Sequence, residues 1–192
     1  MGALGMKQLR LRAANEGRGS QGFSIVEVMI GMSILIVSVM GMVASVVSSA
    51  AVGQTNNETA IAHQAARAAL EDLQGTAFSQ VFATFNDNPE DDPAGPGSAV
   101  GSGFTVTRLD TQAGDGDTFV GRFVFPTGGG LTLREDIPDQ ALGTPRDLNA
   151  DGVIDAADHS GDYVLLPVQV VIEWSGISGT RQLGYETLLS NR

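Results

Sequence analysis

The chain of 192 residues contains no cysteine. That absence excludes a disulfide framework, a thiolate metal site and a cysteine nucleophile, and it leaves the cellular compartment open. Aromatic residues are scarce: 8 Phe, 2 Tyr and 1 Trp stand against 25 glycines. This balance predicts short strands and many turns rather than a large aromatic core. Basic residues are scarce beyond the N-terminus. Residues 1–22 hold Lys7, Arg10, Arg12 and Arg18 against one acid, Glu16. Taking these from the chain's 11 basic and 22 acidic residues leaves 7 and 21, a net charge of −14 over residues 23–192. Such an acidic body has no electrostatic footprint for nucleic acid, so no nucleic-acid partner is expected. It suits a solvated surface or one that collects cations. There are two histidines, His63 and His159. Neither has a nucleophile at a recognisable spacing, and no Gly-x-Ser-x-Gly elbow occurs. Both read as solvated or packing residues, and no catalytic site is expected.

The longest gap in the sequence is a gap in charge. No charged residue occurs between Glu27 and Glu58, and "VMIGMSILIVSVMGMVASVVSSAAVG" is almost wholly apolar or small. A membrane span needs ~20 apolar residues, since ~30 Å of hydrocarbon is crossed at 1.5 Å per residue. The basic flank before it predicts a cytoplasmic N-terminus and an exported C-terminal body. A secretory signal peptide would be cut after a small-residue site such as "SSA" at 48–50, but the apolar core is longer than the usual ~7–15 residues and carries Glu27. A plain anchor explains the length and leaves the carboxylate unexplained. Such a group costs ~2.5–3.5 kcal/mol near the bilayer centre, and less near the interface.

The residues around that carboxylate read Gly22-Phe23-Ser24-Ile25-Val26-Glu27. This run resembles the processing motif of type IV pilins and pseudopilins, with Ser24 and Val26 in place of commoner residues, and the likeness covers about residues 17–50. The resemblance implies that a prepilin peptidase of the inner membrane cuts between Gly22 and Phe23, removing the basic leader 1–22, and that the new amino group of Phe23 is methylated. It also implies that Glu27 pairs with the N-terminus of a neighbouring subunit during filament assembly. Elementary electrostatics agree. A carboxylate and an α-ammonium held in an apolar bundle each lack solvent, and pairing them removes a cost that either would bear alone. Glu27 is also one helical turn from the new N-terminus, so a pair within one subunit is open to it.

Past the span, "TNNETAIAHQAARAALEDLQGTAFSQVFATF" continues a helical pattern. Residues 23–52 are read as the membrane or filament-core helix and 53–85 as its amphipathic continuation, with one helix expected over about 24–74 and Gly75 ending or weakening it. The stripe Ala62, Ala66, Ala69, Leu73 is small and apolar, which suits a sheet packed closely on it. "NDNPEDDPAGPGSAVGSG" (86–103) reads as a solvated loop; Gly95, Gly97 and Gly101 are one residue off the dinucleotide fingerprint, and no helix pattern follows them. Strands are expected at "FTVTRLD" (104–110), "TFVGRFVFP" (118–126), "LTLRE" (131–135), "DYVLLPVQVVIEW" (162–174) and "TRQLGYETLL" (180–189). Val164, Leu166, Val168, Val170, Ile172 and Trp174 share one face of the fourth, and Pro167 predicts a bulge or an edge position there. Asp115 and Asp117, in the loop between the first two strands, read as turn residues rather than a metal pair. The fold class is α+β. It resembles the pilin architecture, a long N-terminal α-helix whose first half spans the membrane, packed on an antiparallel β-sheet within an exported domain of residues 86–192.

A second motif lies at "DLNADGVIDAAD", residues 147–158. Asp147, Asn149 and Asp151 occupy positions 1, 3 and 5 of a calcium loop. Gly152 at 6 permits the sharp turn and Val153 at 7 offers its carbonyl. Asp155 stands at 9, Asp158 at 12, and Ile154 at 8 is expected to anchor the loop in the core. Four carboxylates this close repel one another without a cation, and Ca²⁺ is the cofactor expected. Asp rather than Glu at position 12 resembles the loop of dockerin modules. That likeness covers only these twelve residues, Pro145 breaks any entering helix, and no second copy of the loop occurs. The alternative is an acidic, solvated Asx-turn loop.

Together these features predict a structural subunit of a type IV pilus. The chain length and the "ILIVSVMGM" segment favour a minor pilin by analogy. A pseudopilin of a type II secretion system shares the same signature. A reading of another class is a secreted, calcium-dependent binding module freed at Ala50.

Overall fold

The computed structural model describes residues 22–112, 114, 116–177 and 179–191. The basic leader 1–22 therefore lies outside the described residues except for Gly22, as does Asp115. The chain divides into two compact units, Met1–Val46 and Val47–Arg192. One helix, α1 (Ile25–Gly75), supplies the described structure of the first unit and enters the second. A long N-terminal helix followed by a four-stranded antiparallel sheet makes the chain α+β.

In the first unit the side chains of residues 22–46 are exposed. α1 is long and apolar enough to cross a membrane, and its most apolar stretch is wholly uncovered. Ser33 and Ser38 donate their hydroxyls to the carbonyls of Met29 and Ile34, at 2.8 and 2.7 Å, so these polar groups are satisfied within the helix.

In the second unit α1 buries one stripe: Glu58, Ala62, Ala66, Ala69 and Leu73. Their spacing of three or four residues keeps them on one face, and three alanines let the helix lie close to the sheet. α1 ends at Gly75, where Thr76 turns back and donates both its N–H and its hydroxyl to the Asp72 carbonyl, at 3.2 and 2.9 Å. A separate helix follows, α2 (Phe78–Phe85), with Val81, Phe82 and Phe85 buried.

The sheet runs in sequence order: β1 (Gly103–Phe104), β2 (Gly121–Val124), β3 (Leu165–Gly176) and β4 (Gly179–Ser190). β3 and β4 form a hairpin paired from Leu165↔Ser190 to Gly176↔Gly179. The β3 face that alternation assigns to the core is buried from Leu166 to Trp174, while Val164, just before the strand, is half-buried. Pro167 stays in register opposite Leu188, so there is no bulge. It is tolerated because β2 reaches only to Val124↔Gln169, which leaves that stretch of β3 without a partner on the β2 side.

Three expected strands are shorter or absent, and of 118–126 only Gly121–Val124 is strand. "FTVTRLD" pairs only through Phe104; Arg108 adopts a left-handed φ of 75° that turns the chain, and Asp110 rejoins the sheet as a single bridge to Ser175. "LTLRE" forms no strand, because loops take its backbone groups. The Leu133 carbonyl accepts from His159 N–H at 2.9 Å, the Glu135 carbonyl from Arg146 N–H at 3.1 Å, and Arg134 N–H donates to Pro126 at 3.0 Å.

The segment 86–102 has no regular structure but is not a free linker, and Gly103 opens β1. Asn86 donates to Asp91 Oδ2 at 2.9 Å, Asp92 Oδ2 accepts from Ala99 N–H at 3.0 Å, and Gly101 N–H reaches the Thr84 carbonyl at 3.2 Å. Some of the few aromatics pack against one another inside a largely aliphatic core. Phe82 meets Phe125, Phe85 meets Phe123 and Phe78 meets Tyr163, with ring centroids 4.7–5.2 Å apart. Two glycines leave room for two further rings. A Cβ on Gly121 would fall 2.1 Å from the Phe104 ring, and one on Gly103 would fall 2.4 Å from the Phe119 ring.

Candidate metal centre

The acidic loop 147–158 is built from turns in which side-chain oxygens accept backbone N–H groups. Asp147 takes Ala150 N–H at 2.6 Å and Gly152 N–H at 2.8 Å, one on each oxygen. Asn149 Oδ1 accepts from Asp151 N–H at 3.1 Å, Asp151 Oδ1 from Val153 N–H at 2.7 Å, and Asp155 Oδ1 from Ala157 N–H at 2.7 Å. Asp158 Oδ1 accepts from Ser160 N–H at 3.0 Å and from the Ser160 hydroxyl. Gly152 has a φ of 86°, so the sixth position of the loop does need a glycine.

Ile154 does not anchor this loop; it is 49% exposed. The anchors are Leu148 and Glu135, both wholly buried. Glu135 Oε1 accepts the N–H groups of Leu148 at 2.6 Å and Asn149 at 3.2 Å, while Oε2 accepts Asp155 N–H at 3.4 Å. A buried acid thirteen residues before Leu148 therefore ties both halves of the loop.

His159 closes the cluster. It is buried, at 4% exposure, rather than solvated. Its Nε2 lies 3.2 Å from Asp155 Oδ1 and 3.8 Å from Glu135 Oε2, and its Nδ1 lies 3.1 Å from Asp162 Oδ1. Burial alone would push the imidazole toward neutrality. The hydrogen bonds to Asp155 and Asp162, with the charges of Glu135 and Asp162, outweigh it and raise its pKa above the ordinary value. The Asp155 carboxyl is held below its ordinary value, first by Ala157 N–H and then by His159.

Among the described residues, the ligand atoms of Glu135, Asp155 and His159 form the one group of three acidic or histidine side chains within 4.8 Å of one another that could hold a metal ion. The structure thus joins Asp155 to two residues outside the twelve-residue motif. Asn149 Nδ2 lies 3.2 Å from Asp151 Oδ2 and 3.4 Å from Asp162 Oδ2. Asp147, Asp151 and Asp158 are not drawn into one such group, and Val153 is exposed. Chemically, the Glu-Asp-His group offers two hard oxygens and one nitrogen, a set that a proton on the imidazole bridges or a divalent cation occupies. Glu135 and Asp162 were not read as site residues. The signal for Glu135 was its phase, since an acid two residues after Leu133 shares the buried face of an extended segment.

At the other end of the chain, Gly22 and Phe23 precede the helix and are exposed, Phe23 at 81%. Ser24 caps α1: its Oγ accepts Val26 N–H at 3.3 Å, and its carbonyl accepts Val28 N–H at 3.1 Å. Glu27 falls in the first turn, where the helix dipole favours a negative charge.

No protein-family model matches the chain, and no curated protein or solved structure shows significant similarity to it. What stands is a long N-terminal apolar helix, packed over its second half on an antiparallel sheet.

Proposed function

We propose that the chain is a pilin-like structural subunit, a minor pilin of a type IV pilus, that works by assembly and not by catalysis. The observation that carries this reading is Glu27. A lone carboxylate stands in the first turn of an uncovered apolar helix, four residues after the Gly22-Phe23 junction. In this reading a prepilin peptidase removes residues 1–22 at the inner membrane and methylates Phe23. Residues 23–52 then anchor the chain by a single pass, and the same helix enters a bundle of neighbouring subunits as the filament forms. The acidic domain faces the periplasm or the cell surface. A pseudopilus of a type II secretion system uses the same processing and the same helix, and localisation to pili or to a secretion complex separates the two.

The loop at 147–158 is proposed as a Ca²⁺ site, with Asp147, Asn149, Asp151, the Val153 carbonyl, Asp155 and Asp158 as ligands. Its support is the ligand spacing together with the left-handed turn at Gly152. Asp155 is shared with Glu135 and His159, so binding there competes with the imidazole for that carboxylate.

The test is the intact mass of the mature protein, followed by the behaviour of Glu27→Ala. The expected chain starts at N-methylated Phe23, and Glu27→Ala is processed normally yet enters filaments poorly. A chain starting near Ala51 overturns the reading in favour of a secreted calcium-dependent module.

A further inference from the structure

Within the second unit a cleft of about 480 Å³ opens beside Trp174 and Ser175 near the end of β3. Its size falls in the range of ligand sites, ~300–1,000 Å³. Two of its lining residues carry a buried polar atom with no hydrogen-bond partner, Glu58 Oε2 and Trp174 Nε1. Glu58 is 9% exposed and Trp174 2%. Native proteins rarely leave such atoms orphaned.

The two orphans want opposite things. A carboxylate oxygen only accepts and an indole N–H only donates. A cation would satisfy Glu58 and leave Trp174 unmet; an anion would do the reverse and face the carboxylate. A hydroxyl serves both, donating to Oε2 while accepting from Nε1. The rest of the cleft is also two-signed, with Gln54, Asn57, Arg108, Asp110 and Ser175 contributing donors and acceptors. We propose that this cleft binds a neutral polyhydroxylated molecule, a monosaccharide unit, through a hydroxyl held between Glu58 and Trp174.

The backbone is shaped to admit the carboxylate. Oε2 lies 2.6 Å from where a Cβ on Gly176 would sit, so the glycine leaves room for the carboxylate in this conformation. Arg181 also approaches Gly176 from outside the cleft lining; its Nε is likewise buried without a partner, and no salt bridge joins it to Glu58 among the described residues. Neither orphan atom has open surface in this conformation. Entry of the ligand turns the Glu58 carboxylate about its last torsion, which is broad and roughly two-fold.

The site carries its own reporter, because Trp174 is the only tryptophan in the chain. The full-length protein, in a detergent without a sugar headgroup, is titrated with glucose, galactose, mannose and N-acetylglucosamine. The indole N–H resonance is expected to move saturably with at least one of them, with a midpoint of ~1–10 mM. Glu58→Gln is expected to raise that midpoint by about tenfold or more, while Glu186→Gln leaves it unchanged. A resonance that stays still with all four sugars at ~100 mM, or that moves equally in Glu58→Gln, overturns the proposal. If Glu58→Gln does not fold, the titration of the unaltered protein still decides. The outcome does not depend on whether the chain enters a filament.

Discussion

A carboxylate with no exposed surface must find donors inside the protein, and Glu135 finds three on a segment that follows it in sequence. Removing the acceptor strands the N–H groups of Leu148, Asn149 and Asp155, each at about 1–3 kcal/mol where it stays buried. Glu135→Ala should therefore lose about 3 kcal/mol or more in urea denaturation. Glu135→Gln should lose less, since its amide oxygen still accepts. This role is faint in the sequence: "LTLRE" reads as a strand, whose alternation puts Glu135 on the same face as Leu133 but names no donors for it. The loop spacing assigns the anchor to Ile154 instead, as the apolar eighth residue. Here the inward work is done by a polar side chain from outside the motif, and Ile154 is left at the surface.

At the level of elements, the apolar pattern carried most of the information. The period of the Ala62–Ala66–Ala69–Leu73 stripe and the alternation along β3 both describe the buried faces, because each is set by local geometry. Strand ends were less legible. β1 stops at Phe104 and resumes as a bridge at Asp110 because of a left-handed Arg108 that no propensity signals. Pro167 fits a long paired strand only because β2 ends short of it, a fact about another segment. The small stripe also makes a prediction. Ala66 is fully buried where α1 packs on the core, so Ala66→Leu forces added methylene groups into filled space. It should destabilise the domain by about 1–3 kcal/mol in chemical denaturation. A rise in stability would show that the helix stands farther from the sheet than the side chains require.

For the molecule as a whole, charge is the property to test. Four of the acids, Asp147, Asp151, Asp155 and Asp158, fall in the loop at 147–158, which is largely exposed, and the body carries far more acid than base. If calcium occupies that loop at about 100 times its Kd, it stabilises the folded state by about 2.7 kcal/mol by mass action. A chelator is therefore expected to lower Tm in the unaltered protein and to have no effect on Asp151→Ala. Equal Tm with and without chelator favours the plain acidic turn. Glu135 bears on how such a site would behave. Its hydrogen bonds hold the loop's backbone at Leu148, Asn149 and Asp155. The backbone there is thus tied down, while Asp147, Asp151 and Asp158 still have to converge on an arriving cation, which takes up part of its binding free energy. Such a cation would come and go as a tenant, and its departure would soften the domain without unfolding it.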